Sequence, residues 1–220
     1  MRSFTQLWYR VEVRGEVPEG PCLLVGNHNF GMYTNPEVYI LGSHVPELKQ
    51  LAHDLLFKVP GVRSVTRHFN AIPAKHEDAL RALREGHRVV VFPGGAWESF
   101  RPSSQRDVID FKGRSGFVRL AREAGVPIVP VVTAGGHDGW WILSRGERIA
   151  EALGLKRFRI EVFPIGFAAP FGLLIGPTPF IPLPHKIICE ICEPIHDVTD
   201  AAQVVSVMQK KLTELASELR

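Results

Sequence analysis

Apolar residues fall along this chain in two spacings, every second position in short runs and every third or fourth in longer ones, with glycine and proline between them. Residues 8–13 alternate, Pro18-Glu19-Gly20-Pro21 turns the chain, and 22–25 is a short apolar run that predicts a buried strand. That strand leads into a polar loop, Gly26-Asn27-His28-Asn29-Phe30-Gly31. Leu48, Leu51, Ala52, Leu55, Leu56 and Val59 then recur at helical spacing until Pro60-Gly61, which predicts a helix over 47–59. A second amphipathic helix is predicted over 75–84, closed by Gly86, and a β-branched strand over 88–92 ending in Pro93-Gly94-Gly95. The same rhythm returns with a helix over 115–124 capped by Gly125 and a strand over 126–132. A helix over 141–153 and strands over 158–163 and 186–192 follow. Residues 200–219 form a last long helix whose stripe, including Val204, Met208, Leu212 and Leu215, reads as core packing. Helices and strands in alternation predict an α/β fold, a central mostly parallel or mixed sheet flanked by helices. With no repeat or linker, the chain reads as one domain over 1–220 with its last helix at about 200–219.

Composition removes several alternatives. The chain's 220 residues, 45% hydrophobic and 22% charged, exclude disorder, collagen and coiled coil, and suffice to bury a core without disulfide or metal staples. Cys189 and Cys192 have redox or zinc spacing but sit in a strand-like run with no second pair, so they and Cys22 are expected to be plain thiols in a reducing compartment. A net charge of +3 gives no reason to expect nucleic acid. Between 101 and 122, however, stand Arg101, Arg106, Lys112, Arg114, Arg119 and Arg122, either a solvated face or a landing strip for a phosphate-bearing ligand. The first eight residues lack the apolar core of a secretory signal, so export by that route is not expected. Residues 162–184 are an uncharged run of 23, but six prolines and three glycines exclude a lipid-exposed span. This loop-like apolar segment must bury against its own core or face something greasy.

Three loops carry candidate chemistry. His28 follows a strand, where open α/β sheets place their reactive groups, and an imidazole, ordinarily titrating at about 6.5, accepts a proton near neutrality. The crowding of Gly26, Asn27, Asn29 and Gly31 around it predicts a tight, exposed loop. In Phe92-Pro93-Gly94-Gly95-Ala96-Trp97-Glu98, the glycines allow close backbone approach to a ligand and Glu98 stands just past the turn. Lys112 and Arg114 lie at a predicted helix N-terminus, where cations oppose the dipole unless an anion is part of the site.

As a set, these blocks and Val126-Pro127-Ile128-Val129-Pro130-Val131 resemble the lysophospholipid (glycerolipid) acyltransferase superfamily, 1-acylglycerol-3-phosphate acyltransferases included. That family carries Asn-His, four residues, Asp; then Phe-Pro-Glu-Gly-Thr-Arg; then a Val-Pro-Ile-Val-Pro-Val strand. Asn27-His28, Phe92-Pro93 with Gly95, and 126–131 match in order, and Pro182-Leu183-Pro184 and Glu193-Pro194-Ile195 look like its late segment, so the resemblance covers about 22–196. Tyr33 stands where the family has its aspartate, and Gly94, Ala96 and Trp97 stand for its Glu, Thr and Arg. Gly94-Gly95-Ala96-Trp97-Glu98 is instead similar to the Gly-Gly-x-x-Glu block of the diacylglycerol acyltransferase branch. Glu98 is therefore expected to hold His28, with Glu37 the second choice.

The resemblance implies a glycerol-3-phosphate acyltransferase-like fold. It also implies transfer of a fatty acyl group from acyl-CoA to a hydroxyl of a glycerolipid or lysophospholipid, with His28 as general base and no acyl-enzyme. Asn27 and the amides of Gly94 and Gly95 would face the oxyanion, while Arg67, Arg101, Lys112 and Arg114 would meet phosphates of the donor or acceptor. Acyl-CoA is a co-substrate, and no metal or further cofactor is implied. The expected setting is a membrane surface on the cytoplasmic side, without a span. A relative that has lost turnover and only binds lipid or acyl-CoA is the alternative. Gly26-Asn27-His28 is also similar to a block of dinuclear metallophosphatases, but no Asp or His precedes Gly26 to complete two metal sites, and no Gly-x-Ser-x-Gly supports a serine hydrolase. The other histidines, His137 among them, show no metal spacing and read as ordinary surface or core residues.

Overall fold

The computed structural model describes residues 8–29, 36–57, 66, 70–158, 160–178 and 180–220. In chain order its elements are β1 Val11–Arg14, β2 Leu23–Gly26, α1 Pro36–His44, β3 Lys49–Ala52, β4 Ala71–Pro73, α2 His76–Arg84, β5 Val89–Val91, α3 Gly95–Ser99, α4 Gly116–Ala124 and β6 Ile128–Ala134. Then come β7 Trp141–Ser144, α5 Glu147–Ala152, β8 Ile165–Ala168, β9 Gly172–Ile175, β10 Ile187–Ile191 and α6 Ala201–Leu219.

Seven strands form the main sheet in the order β1-β10-β6-β2-β5-β3-β4. Every neighbouring pair is parallel except β10 with β6. Strands β2 and β6 are buried at every residue, which is why they read as unbroken apolar runs rather than alternating ones. Successive side chains still point to opposite faces. Leu23, Ile128 and Val132 pack with Phe117 and Leu120 of α4 and with Met208 and Leu212 of α6. Leu24, Val129 and Val131 pack on the other side with Ile40 and Leu41 of α1. The stripe on α6 is core, as its spacing predicts, and the Asp200 carboxylate accepts the Ala202 N–H at its start.

Four expectations fail. The helix expected over 47–59 is not formed over its described part: β3 occupies Lys49–Ala52 and a 3-10 turn Asp54–Phe57, and residues 58 and 59 lie outside the described residues. Leu48 and Leu51 fit helical spacing, but the Lys49 and Gln50 amides donate to the Arg88 and Asn70 carbonyls, and so short an apolar run is ambiguous without its neighbours. The helix expected over 141–153 is β7 and then α5, divided at Gly146, whose left-handed backbone (φ 63) leaves no room for a Cβ beside the Phe163 carbonyl. The strand expected over 158–163 starts later, with β8 at Ile165, after Pro164. Finally, 162–184 is not loop throughout: within it β8 and β9 form a hairpin that joins β7 in a three-stranded antiparallel sheet. Its inner residues Ile142, Ala168 and Leu174 pack with Trp140, Phe180 and Phe100. Among the described residues no helix is long and apolar enough to cross a membrane.

This order sets the site. Strands β2, β5 and β6 are parallel neighbours, so the loops after them, beginning at residues 27, 92 and 135, open along one edge of the sheet.

Candidate active site

The loop after β2 is fixed by its asparagines. Both Asn27 and Asn29 are buried, contrary to the exposed loop expected, because Asn27 spans to β6. Its Nδ2 donates to the Thr133 carbonyl at 2.9 Å and its Oδ1 accepts the Thr133 N–H at 2.8 Å. Both ends of that amide are thereby used within the fold, and Asn27 does not face an oxyanion. Asn29 Nδ2 also donates to Thr133 O, at 3.0 Å. At Gly26 a Cβ would stand 2.6 Å from the Phe92 ring, and that ring stacks on His28 with centroids 4.9 Å apart.

The carboxylate against the His28 ring is that of Glu37, not Glu98. Glu37 Oε1 lies 2.8 Å from His28 Nδ1 and accepts the Asn29 N–H at 2.6 Å. Glu37 is fully buried in the first turn of α1, where the helix dipole favours a carboxylate. An acceptor at Nδ1 selects the tautomer protonated there, so Nε2 carries the lone pair. Glu98 instead reaches the backbone: its Oε2 accepts the His28 N–H at 2.9 Å. It does so by folding back into the space over Gly94, where a Cβ would overlap the Glu98 side chain. The resemblance places the family's own glutamate at position 94, so here a carboxylate from the next turn fills that volume. Burial pushes the Glu98 carboxyl up to about 7 against the opposing charge of Arg101.

Arg101 is fully buried, which removes it from the expected phosphate contacts. Its guanidinium donates to the His28, Glu98 and Arg106 carbonyls and to Asn29 Oδ1 at 3.0 or 3.1 Å, so it braces the loop from inside. Ser99 Oγ donates to the Asn29 carbonyl at 2.6 Å. The Gly95 amide donates to Phe92 O within its own turn and is likewise not directed at a substrate.

A second group of cations lies beside the turn. Arg114 donates to the Pro93 and Gly94 carbonyls, and Lys112 Nζ stands 2.7 Å from Glu161. Lys112 and Arg145 both lie 4.2 Å from the centroid of the Trp97 ring. Lys112 and Arg114 remain part-exposed, and the anion beside them in the fold is Glu161, which no local pattern links to them. Arg67 and Tyr33 lie outside the described residues.

His137, read from the sequence as an ordinary surface or core residue, lies in the loop after β6. It is buried, and that burial, followed by the charge of Arg101, holds its imidazole well below its ordinary range. Like His28, it stands in a glycine-rich polar loop at a strand's C-terminal end, Gly135-Gly136-His137-Asp138. Gly136 packs directly on Asn29.

A family profile described as Acyltransferase matches residues 10–134. An uncharacterized protein of Mycobacterium tuberculosis is 30% identical over 203 residues, covering 89% of this chain and 54% of that one. A mouse protein named DGAT1/2-independent enzyme synthesizing storage lipids is 28% identical over 185 residues, covering 80% of this chain and 55% of that one. The chain thus spans about half the length of the curated relatives it matches. The crystal structure of the 1-acyl-sn-glycerophosphate acyltransferase PlsC from Thermotoga maritima superposes with a TM-score of 0.60 at 20% identity, over 99% of this chain and 75% of that one, and shares its fold.

Proposed function

The chain belongs to the acyltransferase family, and on that premise we propose that it transfers a fatty acyl group from acyl-CoA to a hydroxyl of a glycerolipid or lysophospholipid, with His28 as general base. The observation that carries this reading is the 2.8 Å contact of Glu37 with His28 Nδ1 at the loop edge of the sheet. His28 Nε2 takes the proton of the acceptor hydroxyl as its oxygen attacks the thioester carbonyl. The tetrahedral intermediate collapses with loss of the CoA thiolate, which recovers the proton from the imidazolium. Glu37 stabilises that imidazolium, and Glu98 and Arg101 hold the backbone from which the ring projects. Lys112 and Arg114 meet the donor's phosphates. The mouse relative's name, and Trp97 where the family has an arginine, support a neutral glycerolipid acceptor. The working place is a membrane surface on the cytoplasmic side.

The test is release of CoA thiol from a long-chain acyl-CoA with diacylglycerol, lysophospholipids and simple alcohols as acceptors. One acceptor class is expected to support turnover, His28→Ala to lower it on the order of 100- to 10,000-fold with acyl-CoA binding retained, and Glu37→Gln to lower kcat more than KM. Binding of acyl-CoA without transfer to any acceptor would replace this reading with that of a binding protein.

A further inference from the structure

We propose that the outer face of the β7–β8–β9 sheet is a docking surface for an anionic lipid bilayer. The proposal rests on the acyl-transfer reading for its choice of a lipid partner; the surface itself stands on geometry. Strand alternation puts Ile142, Gly166, Ala168 and Leu174 inward, and leaves Trp141, Leu143, Phe167, Leu173 and Ile175 outward, each more than half exposed. Trp141 stands opposite Phe167, and Phe167 opposite Leu173, so the three form one row across the sheet. Folded chains seldom leave a contiguous apolar face of this kind to water, and tryptophan is enriched where apolar and aqueous phases meet.

Charge supplies the occupant. No charged residue falls within 162–184, whereas the segment leaving β7, residues 145–157, carries Arg145, Arg148, Lys156 and Arg157 against Glu147 and Glu151. Arg148, Lys156 and Arg157 are exposed. An apolar face with a net basic rim complements an anionic bilayer. Two copies placed face to face would bring like-charged rims together.

The face is also tied to the site. Ile142 N–H donates to Ser103 Oγ at 2.8 Å, and Arg145 Nε donates at 3.1 Å to the Trp97 carbonyl in α3, the helix that carries Glu98. The sheet whose outer face would meet the bilayer is thus hydrogen-bonded to the helix that carries Glu98.

Cosedimentation with vesicles of phosphatidylcholine, alone and mixed with phosphatidylglycerol, tests this. Wild-type protein is expected to bind the mixed vesicles more tightly. The triple variant Trp141→Ser, Phe167→Ser, Leu173→Ser is expected to lose at least about tenfold in affinity, equivalent to about 1.4 kcal/mol, and to keep wild-type turnover on a short-chain acceptor free in solution. Should the triple variant not fold, quenching of tryptophan fluorescence by brominated lipid decides: the quenching must fall in Trp141→Phe, and equal quenching in both proteins overturns the proposal. Absence of wild-type binding, or equal binding by a folded triple variant, overturns it too. So does a dimer in sedimentation velocity that the triple variant dissociates without any vesicle binding. A protein that binds vesicles through this face yet turns over no acceptor in solution would sink the catalytic reading and leave the docking surface standing.

Discussion

His28 is held at three points, its ring by Glu37, its amide by Glu98 and its carbonyl by Arg101. Both carboxylates are visible in the sequence, but the role of each is not. Glu37 stands nine residues beyond His28, a spacing with no periodic meaning, and reaches the ring because α1 begins under the loop. Burial sets the sign of the pH response. Glu98 titrates at about 7 in the fold against an ordinary 4.5, so its contribution to stability is full below about 4.5 and is lost as pH rises through about 7, on the order of 3 kcal/mol in all. His137 acts oppositely, because its suppressed protonation costs stability as pH falls below its ordinary 6.5. Melting temperature should therefore fall less from pH 6.5 to 8 in Glu98→Gln than in wild type; equal slopes would show that Glu98 does not titrate there. Gly94→Ala tests the same carboxylate sterically. Its Cβ would overlap Glu98 and is expected to cost about 1–3 kcal/mol in denaturant unfolding and to lower kcat. An unchanged kcat would mean that the bond from Glu98 to the His28 amide has no part in turnover.

At the scale of elements, periodicity succeeded where a run was long or closed by a recognisable cap. Helix α4 ends at Gly125 in the left-handed region, and α6 starts at Asp200, as the sequence signals. It failed for β3 and β7, four-residue strands whose identity depends on the strands beside them. For α6, Asp200→Ala is expected to cost about 1 kcal/mol and Met208→Ala about 2–5 kcal/mol in urea unfolding, with the denaturant slope unchanged. Equal losses would contradict the assignment of one to a helix cap and the other to the core.

Across the whole molecule, the parallel run β6-β2-β5 gathers on one edge three loops, beginning at residues 27, 92 and 135, that are well separated in the chain. The antiparallel pairing of β10 to β6 then extends the sheet on the far side to β1. Between β6 and β10 the chain leaves the main sheet to build the β7–β8–β9 layer, which gives the uncharged segment one buried face and one open face.

The sequence by itself determined the alternation of helices and strands, the apolar runs that became β2 and β6, and the two loops bearing His28 and Glu98, because these follow from local spacing and backbone preference. Only tertiary structure decided which carboxylate meets which atom of His28, that Asn27 and Arg101 are spent on the fold, and that 165–168 and 172–175 pair as strands. Hydrogen-bond partners distant in the chain are chosen by how the layers pack, and strands this short take their conformation from the neighbours that satisfy their backbone groups.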